Sequence, residues 1–477
     1  MGALLLKSVA GDVGRRAVLH ALNRIAYGPR PGDVERVLDE GLEAWILRQV
    51  RPPGSDPELE SRLRSLPAVG YSTPQVLALF NADNRNIGLI INDFYTAKLI
   101  RAVHGQNQLQ EVMADFWFNH FNVNINDGFV RYSIMSYERE AIRANALGTF
   151  RGLLGATAAH PAMLYYLDNY LSTVSRVVNG RLVQGLNENY GRELLELHTV
   201  GVDAGYTQPH VFDAARCFTG WGIDNQNSSG QFVYRTANHD TAAKSVFGLN
   251  VPAGGQREDG ERLLDYLALH PATAHFVSKK LARRFVSDDP PQSLIDKMAA
   301  TWLASDGDVA LVLLRMFGSA EFWADEFAGG EGKPKTPIEF VVSAIRAVDG
   351  QVTNANAGLV GYLANLGMPL YQCVPPTGYS FRGADWLNPS SQLYRMNFAL
   401  DLAANRLGGV SVDARALSRG AATGQAIANA VNADIFAGTL SRQTLDAAAR
   451  VDPRTANPSV AARVVGLLLA SPEFQVR

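Results

Sequence analysis

The sequence predicts a mainly α-helical protein, built as one large multi-helix domain with a small β-hairpin insertion near residues 230–248. Apolar residues recur at helical spacing through most of the chain, helix-start signals precede several of these stretches, and one short β-branched and aromatic stretch interrupts them. Hydrophobic residues make up 47% of the 477 residues and charged residues 19%, so the chain can bury a sizeable core.

The first of three predicted segments covers residues 1–72. It holds two amphipathic stretches, 15–27 and 32–50, which the breaker GPRPG separates. Residues 51–72 are rich in Pro, Gly and Ser, so we expect an irregular connection there.

The second predicted segment, residues 73–330, holds most of the helical pattern and the polar motifs. An apolar stripe in LQEVMADFWFNH has helical spacing and ends at His120. Thr207 can cap another helix that has Pro209 in its first turn. The stretch GQFVYRTANHDTAAKSVFG (230–248) is β-branched and aromatic with polar breaks, which predicts the hairpin. Further helices are predicted over residues 86–104, 133–155, 161–170, 258–269, 272–286, 291–304 and 308–317.

The third predicted segment, residues 331–477, is helical around a loop at 368–389. The loop sequence, MPLYQCVPPTGYSFRGADWLNP, is too rich in Pro, Gly and aromatic residues to form a regular helix. An apolar loop of this kind usually packs over a site or over the core, so we expect it to cover one of the two.

The composition argues against several classes of function. The net charge is -2, from 44 basic and 46 acidic residues, and there is no basic tract, so we expect no nucleic-acid partner. The two cysteines, Cys217 and Cys373, are too few for a disulfide framework or a thiolate zinc site. No apolar run reaches the length that spans a bilayer, and we expect no membrane insertion.

The common motifs of cofactor-dependent enzymes are missing from the sequence. No Gly-x-Gly-x-x-Gly follows a strand, the spacing around Lys333 and Lys335 does not fit a P-loop, and Gly-x-Ser-x-Gly and His-Glu-x-x-His do not occur. We therefore predict no cofactor and no metal. The start of the chain has no long apolar region and no clear cleavage site, which indicates the cytoplasm; a signal that had been removed would indicate the periplasm or export.

The segment NENYGRELLELHT, residues 187–199, concentrates polar side chains. On a helix, Glu188, Arg192 and Glu196 fall within one narrow arc, and Glu193 flanks it. One interpretation is an exposed face whose ion pairs contribute about 0.3–0.5 kcal/mol each. The other is a site for a polar substrate, which the mixture of Asn, Tyr, Arg, Glu and His and the lack of Lys favour. In such a site one carboxylate stays ionised beside the arginine, while burial raises the pKa of another.

Histidines mark the other polar candidates. His239 precedes Asp240 in NHD, which indicates an oriented base, a metal ligand or a simple turn. His120 closes an apolar stripe, which is typical of a satisfied core histidine. His160 and His270 each precede a proline, and we interpret both as helix-end signals.

Motifs along nearly the whole chain resemble a bacterial family known as domain of unknown function 1800. They are HALNRIAYGPRPGDVERVLDEGLEAWILRQV, DFWFNHFNV, HPAMLYYLDN, NENYGRELLELHTVGVDAGYTQ with ARCFTGW, NHDTAAKSVFG, HPATAHFVSKKLARRFV and WLNPSSQLYRMNF. The resemblance implies a bacterial, mostly helical protein. Relatives are often exported and often encoded beside a protein of the alkaline-phosphatase-like superfamily, which the resemblance suggests as a partner. It implies no settled activity, so the chemistry has to be argued from the residues.

The first functional hypothesis is a hydrolase in which two carboxylates act as general acid and base, or as acid and nucleophile, on the glycosidic bond of a carbohydrate such as an oligosaccharide. Such a site needs carboxylates about 5–10 Å apart and aromatic rings that stack on sugars, and a toroid of helices would suit it. The candidate catalytic residues are Glu188, Glu193, Glu196, His239 and Asp240. The candidate substrate-binding residues are Trp117, His120, Asn187, Tyr190, Arg192, Trp221 and Trp386.

Two alternatives remain open at this point. The first is a metal-dependent enzyme with a mixed nitrogen and oxygen site. Its ligands would be His120, His198, His239 and either Glu188 or Glu193. The second is a non-catalytic binding or scaffold protein that works with a partner enzyme and whose polar motifs brace a large helical core.

Overall fold

The computed structural model describes residues 12–178, 181–183, 185–324, 332–451 and 459–477. Within these residues the chain is mainly α-helical, as the sequence predicts, and the strands form two-stranded pairs. Residues 1–11, the start of the chain on which the expectation of a cytoplasmic location rests, lie outside the described residues. The α-helices are Asp12–Ile25, Asp33–Glu40, Leu42–Val50, Pro57–Leu63, Thr73–Ala82, Asn86–His104, Gln108–His120, Val130–Ser136, Phe150–Ala158, Pro161–Tyr166, Asn189–Glu193, Gln208–Cys217, Glu258–Ala268, Pro271–Phe285, Gln292–Ala304, Val309–Phe317, Pro337–Ala347, Leu359–Asn365, Pro389–Ala403, Gly424–Ile435, Arg442–Ala449, Val460–Leu469 and Pro472–Gln475.

Two wider and several tighter helical turns join these helices. The wider, π-helical turns are Tyr137–Ile142 and Leu194–His198. The tighter, 3-10 turns are Pro67–Gly70, Arg143–Asn145, Asn169–Leu171, Val202–Ala204, Thr236–Asn238, Ala355–Ala357, Gly383–Trp386 and Ala416–Ser418. In the described part of the chain, no helix has both the length and the apolar character needed to cross a bilayer.

The β-structure predicted near residues 230–248 is confirmed, and it consists of two hairpins. Phe232–Tyr234 pairs with Trp221–Ile223, and Lys244–Val246 pairs with Leu249–Val251, both antiparallel. The local pattern shows which residues are extended, but the partner of each strand depends on the turns and on the core beneath it. The other antiparallel pairs are Arg176–Val178 with Arg181–Val183 and Gln351–Val352 with Val410–Ser411.

Two features of the first segment differ from the prediction. The helix predicted over 32–50 is divided at Gly41, whose φ of 90° does not fit a right-handed helix. The connection predicted over 51–72 contains the helix Pro57–Leu63, because Asp56 caps its first turn and proline opens it.

One connected hydrophobic core extends through the described residues, from Val18 to Phe474. Beside this core, residues that are far apart in the sequence contact each other. Arg346 donates a hydrogen bond to the carbonyl of Gly28 at 2.8 Å and pairs with Asp33 at 3.2 Å. The beginning and the last third of the chain therefore fold against each other, while the division into three segments stays a prediction.

Candidate functional site

The polar motif at 187–199 is helical, but only its first half is a regular α-helix. Asn189–Glu193 forms an α-helical turn, and Leu194–His198 forms a π-helical turn. The hydroxyl of Thr199 donates to the carbonyl five residues earlier, at 2.6 Å. A π turn holds more residues than an α turn, so the later side chains leave the arc of a straight helix, and such turns are frequent at functional sites. We call residues 187–198 the acidic helix.

The acidic helix packs directly on the helix Gln208–Cys217. Gly191 allows the close approach, since a Cβ at this position would lie 2.6 Å from the backbone nitrogen of Ala215. Thr207 caps the second helix and Pro209 lies in its first turn, as the sequence predicts. This contact sets which side of the acidic helix faces the interior.

The start of the acidic helix forms an exposed polar cluster. Glu188 accepts hydrogen bonds from Arg192 and from Gln208, each at 2.7 Å, and its side chain is 34% exposed. The hydrogen bond to Glu188 raises the pKa of Arg192. Asn187 accepts the backbone N–H of Asn189 at 3.0 Å. An exposed pair of this kind contributes about 0.3–0.5 kcal/mol, so this end of the helix fits the surface interpretation.

Glu193 and Glu196 lie on the half-buried side of the acidic helix. Burial, and then the charge of Glu196, raises the pKa of Glu193, while Arg192 opposes the shift. The hydroxyl of Tyr206 donates to Glu196 at 3.4 Å, and burial, followed by the charge of Glu196, raises the pKa of Tyr206 to about 12. Glu193 therefore keeps its proton to a higher pH than an ordinary glutamate does, beside a second carboxylate.

Tyr166 connects Glu193 with the loop at 368–389. Its hydroxyl donates to the carbonyl of Val374 in that loop at 2.6 Å. The pKa of Tyr166 is raised, first by burial and then by the nearby Cys373. Glu193 adds a smaller effect in the same direction. Tyr166 is therefore hydrogen-bonded to the loop and lies within range of the charge of Glu193.

The loop at 368–389 is irregular, as predicted, and packs over the end of the helix Gln108–His120. The side chain of Asn119 donates to the carbonyl of Tyr379 at 2.8 Å and accepts its N–H at 2.7 Å. Gly378 has a φ of +72°, and a Cβ there would lie 2.2 Å from the backbone oxygen of Asn119. The loop therefore depends on a glycine to lie flat against the helix end.

The buried end of the acidic helix meets two further residues, and we call His120, His198 and Lys280 the Lys280 centre. His120 donates through Nε2 to the carbonyl of His198 at 3.0 Å, and its Nδ1 lies 2.8 Å from Lys280 Nζ. A carbonyl can only accept, so Nε2 carries the proton and Nδ1 accepts from the lysine. Burial, and then the charge of Lys280, lowers the pKa of His120 far below its ordinary value and that of His198 to about 3. Both imidazoles are therefore neutral.

The NHD motif is held by bracing contacts. Asp240 makes two hydrogen bonds with Arg216, at 2.8 and 3.0 Å, and accepts a backbone N–H two residues further on. Burial alone would raise the pKa of Asp240, but the hydrogen bonds from Arg216 lower it. His239 is buried between the carbonyl of Thr219, at 2.8 Å, and Asp259, at 3.2 Å. These contacts close a turn and a strand end, which matches the turn interpretation of the motif.

Most of the aromatic residues proposed for substrate binding lie in the core. The fully buried ones are Trp117, Tyr190 and Trp221. Trp386 is half-buried and donates to the carbonyl of Ser380 within its own loop, at 3.1 Å. The half-buried rings near Glu193 and Glu196 are Tyr166 and Tyr206.

The residues proposed as metal ligands do not form a cluster. Within the described residues, no group of three or more His, Cys, Asp or Glu side chains could hold a metal ion. The rings of His120 and His198 lie 6.3 Å apart, and both nitrogens of His120 already have hydrogen-bond partners. His239 is bound to Asp259 instead.

A cavity of about 350 Å³ brings Ser136, Glu140 and His160 together. These residue types occur in catalytic triads, but the hydrogen bonds argue against that role here. The Nδ1 of His160 accepts the N–H of Ala162 at 3.2 Å, so the proton sits on Nε2, which faces Ser136 Oγ at 3.3 Å. A histidine that donates to a serine cannot remove its proton. The acidic helix contributes no residue to the lining of this cavity.

The fold and the acidic helix define a mainly α-helical protein with a half-buried pair of glutamates. A family model described as a protein of unknown function, DUF1800, matches residues 20–476. The chain belongs to this family, as its motifs predict. No curated protein and no solved structure matches it.

Sequence reasoning missed Lys280 and Tyr166, although both lie in motifs that resemble the family. Lys280 follows Phe276 by one helical turn and precedes the buried Leu281. This spacing places Lys280 beside the apolar face of its helix. The spacing is the sequence signal that distinguishes Lys280 from the neighbouring Lys279. No local signal marks Tyr166, because its role comes from contacts with distant parts of the chain.

Proposed function

We propose that the protein is a hydrolase in which Glu193 and Glu196 act as a carboxylate pair on a glycosidic bond. The observation that supports this best is the half-buried position of Glu193, which raises its pKa, beside Glu196, which accepts a hydrogen bond from Tyr206. A proton donor that works near neutral pH needs a raised pKa, and its partner has to be ionised. In this proposal Glu193 is the acid and Glu196 is the nucleophile.

We propose a retaining mechanism for the pair, in which the second carboxylate is the nucleophile. The two glutamates lie three residues apart in the sequence, across the start of the π turn. Retaining glycosidases hold their two carboxyl groups about 5–5.5 Å apart, and inverting ones about 6.5–9.5 Å. Glu196 would attack the anomeric carbon while Glu193 protonates the leaving oxygen, and Glu193 would then take a proton from the water that releases the sugar.

The proposed substrate class depends on the surroundings of the pair. Tyr166 and Tyr206 offer half-buried rings beside the glutamates, and sugar rings pack well on aromatic faces. Arg192, which lies next to Glu193 in the chain, adds hydrogen-bond donors. A few polar groups among aromatic rings are typical of sites that bind small polar ligands such as sugars.

Substitution of each glutamate tests the proposal. The wild type should hydrolyse at least one member of a panel of p-nitrophenyl glycosides, and Glu193→Gln should lose about 10²–10⁴-fold in kcat/KM because it cannot donate the proton. Glu196→Gln should be similarly impaired. Glu188→Gln is the matched control, since Glu188 belongs to the exposed ion pair, and it should stay within about twofold of the wild type.

Circular dichroism would confirm that the variants are folded. The hydrolase proposal fails if the wild type releases no p-nitrophenol above the buffer rate, or if Glu193→Gln is as active as Glu188→Gln.

A second candidate function, a non-catalytic binding protein, is favoured by the bracing contacts of the other proposed site residues. Trp117 and Trp221 are buried, and Asp240 and His239 are tied to neighbouring elements. In this case the partner suggested by the resemblance, a protein of the alkaline-phosphatase-like superfamily, should bind the purified chain in solution. Glu193→Gln should then leave both the fold and the binding unchanged.

A further inference from the structure

Lys280 is a partly buried lysine whose charge has no acidic partner. Its Nζ lies 2.8 Å from His120 Nδ1, and 5.3 and 5.9 Å from the ring centroids of Phe276 and Phe381. It makes no ion pair with any residue in the described ranges. A buried ammonium group without an anion costs several kcal/mol, so the neutral amine is the less costly form at this position.

Two other buried lysines show the more usual arrangement. Lys98 pairs with Asp115 at 2.9 Å, and Lys244 pairs with Asp259 at 2.7 Å. Lys280 has a neutral imidazole where those lysines have a carboxylate. The difference indicates a group that is held as an amine rather than as a structural cation.

The charged and titratable groups around Lys280 also favour the neutral amine. His120 contacts it and His198 lies within range of its charge, each from another segment, and both are neutral. Burial, and then the charge of Arg283 on the same helix, lowers the pKa of Lys280 to about 7. The loop at 368–389 contributes the uncharged ring of Phe381.

His198 provides a second, independent sign of an incomplete site. His198 is 1% exposed, and its Nε2 has no hydrogen-bond partner among the described residues. Buried polar atoms are almost always paired, so an unpaired one within range of the charge of Lys280 marks a place where a polar ligand can supply the missing hydrogen bond.

We propose that Lys280 is a reactive amine that forms an imine with small aldehydes or ketones, in a centre completed by His120 and His198. This goes beyond the proposed hydrolase, because neither Glu193 nor Glu196 takes part.

The reaction needs no oxidant or reductant. The nitrogen lone pair of Lys280 attacks the carbonyl carbon, the π electrons move to oxygen, and one proton passes from nitrogen to that oxygen to give a carbinolamine. A second proton from nitrogen leaves with the hydroxyl group as water, and the C=N bond forms. His120 Nδ1, an acceptor 2.8 Å from the amine, can take and return the proton.

Reductive methylation of the full chain tests the proposal with formaldehyde as the carbonyl probe and cyanoborohydride as the trap. Peptide mass spectrometry compares Lys280 with the adjacent, exposed Lys279. At pH 7 an ordinary lysine, with a pKa of about 10.4, has roughly one neutral amine in a few thousand. We therefore expect Lys280 to be methylated at least tenfold faster than Lys279.

The pH profile and two controls make the test specific. The rate at Lys279 should rise about tenfold per pH unit up to pH 9, whereas the rate at Lys280 should level off above pH 8. Lys279→Arg should leave the labelling of Lys280 unchanged, and Lys280→Arg should remove it. Three outcomes would each overturn the proposal. They are labelling of Lys279 while Lys280 stays unlabelled, equal pH profiles for the two lysines, and an adduct that is stable without cyanoborohydride.

Discussion

At the scale of single residues, hydrogen-bond partners decide which histidines can exchange a proton. His160 and His270 each accept, through Nδ1, the backbone N–H two residues further on, at 3.2 and 3.1 Å. The sequence marks both as helix ends, with the imidazole near the last carbonyls; in the structure each ring instead caps the start of the following helix. Burial lowers the pKa of His160 to about 3, so this ring stays neutral as a cap.

The raised pKa of Glu193 has a consequence for stability. A carboxyl group whose pKa is higher in the folded state opposes folding at pH values above its unfolded pKa, which is about 4.3. Glu193→Gln should therefore raise the free energy of unfolding at pH 7, and with it the melting temperature. The gain in free energy should be less than about 1 kcal/mol, because solvent reaches the side chain. The gain should vanish below about pH 4, where both states are protonated.

Thermal unfolding at pH 7 and pH 3.5 measures this difference. Glu188→Gln is the control with the opposite sign, since it loses the exposed pair with Arg192 and gains nothing from burial. A melting temperature of Glu193→Gln that is equal to or lower than that of the wild type at pH 7 would contradict the raised pKa.

At the scale of elements, the helices follow from local sequence and the π turns do not. Cap and proline signals predict the start of Gln208–Cys217, and the same type of signal at Asp56 was available for Pro57–Leu63. A helical wheel assumes 3.6 residues per turn, so it cannot show that Leu194–His198 is wider. The wheel therefore does not apply to Glu196, which lies within this turn.

Gly191 is the residue on which the packing of the acidic helix depends. Gly191→Ala should destabilise the protein by about 1–3 kcal/mol, because the new Cβ would lie 2.6 Å from the backbone of Ala215 and the two helices would have to separate. Gly361→Ala, in the helix Leu359–Asn365, has no atom within 4 Å of its new Cβ and should stabilise by about 0.5–1 kcal/mol.

Urea unfolding of both variants provides the comparison. The two substitutions are chemically identical, so a similar change in midpoint for both would show that the contact between the helices does not limit the fold.

At the scale of the whole molecule, a buried ion pair joins the first helices to the last third of the chain. Arg346 reaches the carbonyl of Gly28 and the carboxylate of Asp33. Burial alone would raise the pKa of Asp33, but Arg346, and then Arg36, lower it. Charges that are buried and paired in this way make the distant segments of the chain depend on one another.

Arg346→Met should therefore lower the free energy of unfolding by about 3 kcal/mol or more, since Asp33 stays buried without its strongest partner. A lowered carboxyl pKa stabilises the fold above the unfolded pKa, about 3.9, and this stabilisation is lost as the pH falls through the folded pKa. The difference between variant and wild type should shrink below about pH 4.

The exposed pair Glu40–Arg48 is the matched control for this whole-molecule prediction. Glu40→Ala should cost less than about 1 kcal/mol, and its effect should decline with added salt. If chemical denaturation gave the same small loss for Arg346→Met, the buried pair would not be holding the two ends of the chain together.

The amino-acid sequence by itself determined the mainly helical class, the family, the cap at Thr207 and the irregular loop at 368–389. These features depend on residues close together in the chain: the apolar repeat, a serine, threonine or aspartate before a proline, or a run of glycine and proline. Only the tertiary structure decided which polar side chains are buried. Burial in the folded chain is the first cause of the shifted pKa values of Glu193, Tyr166 and Lys280, and a local sequence pattern does not fix how far a side chain is desolvated.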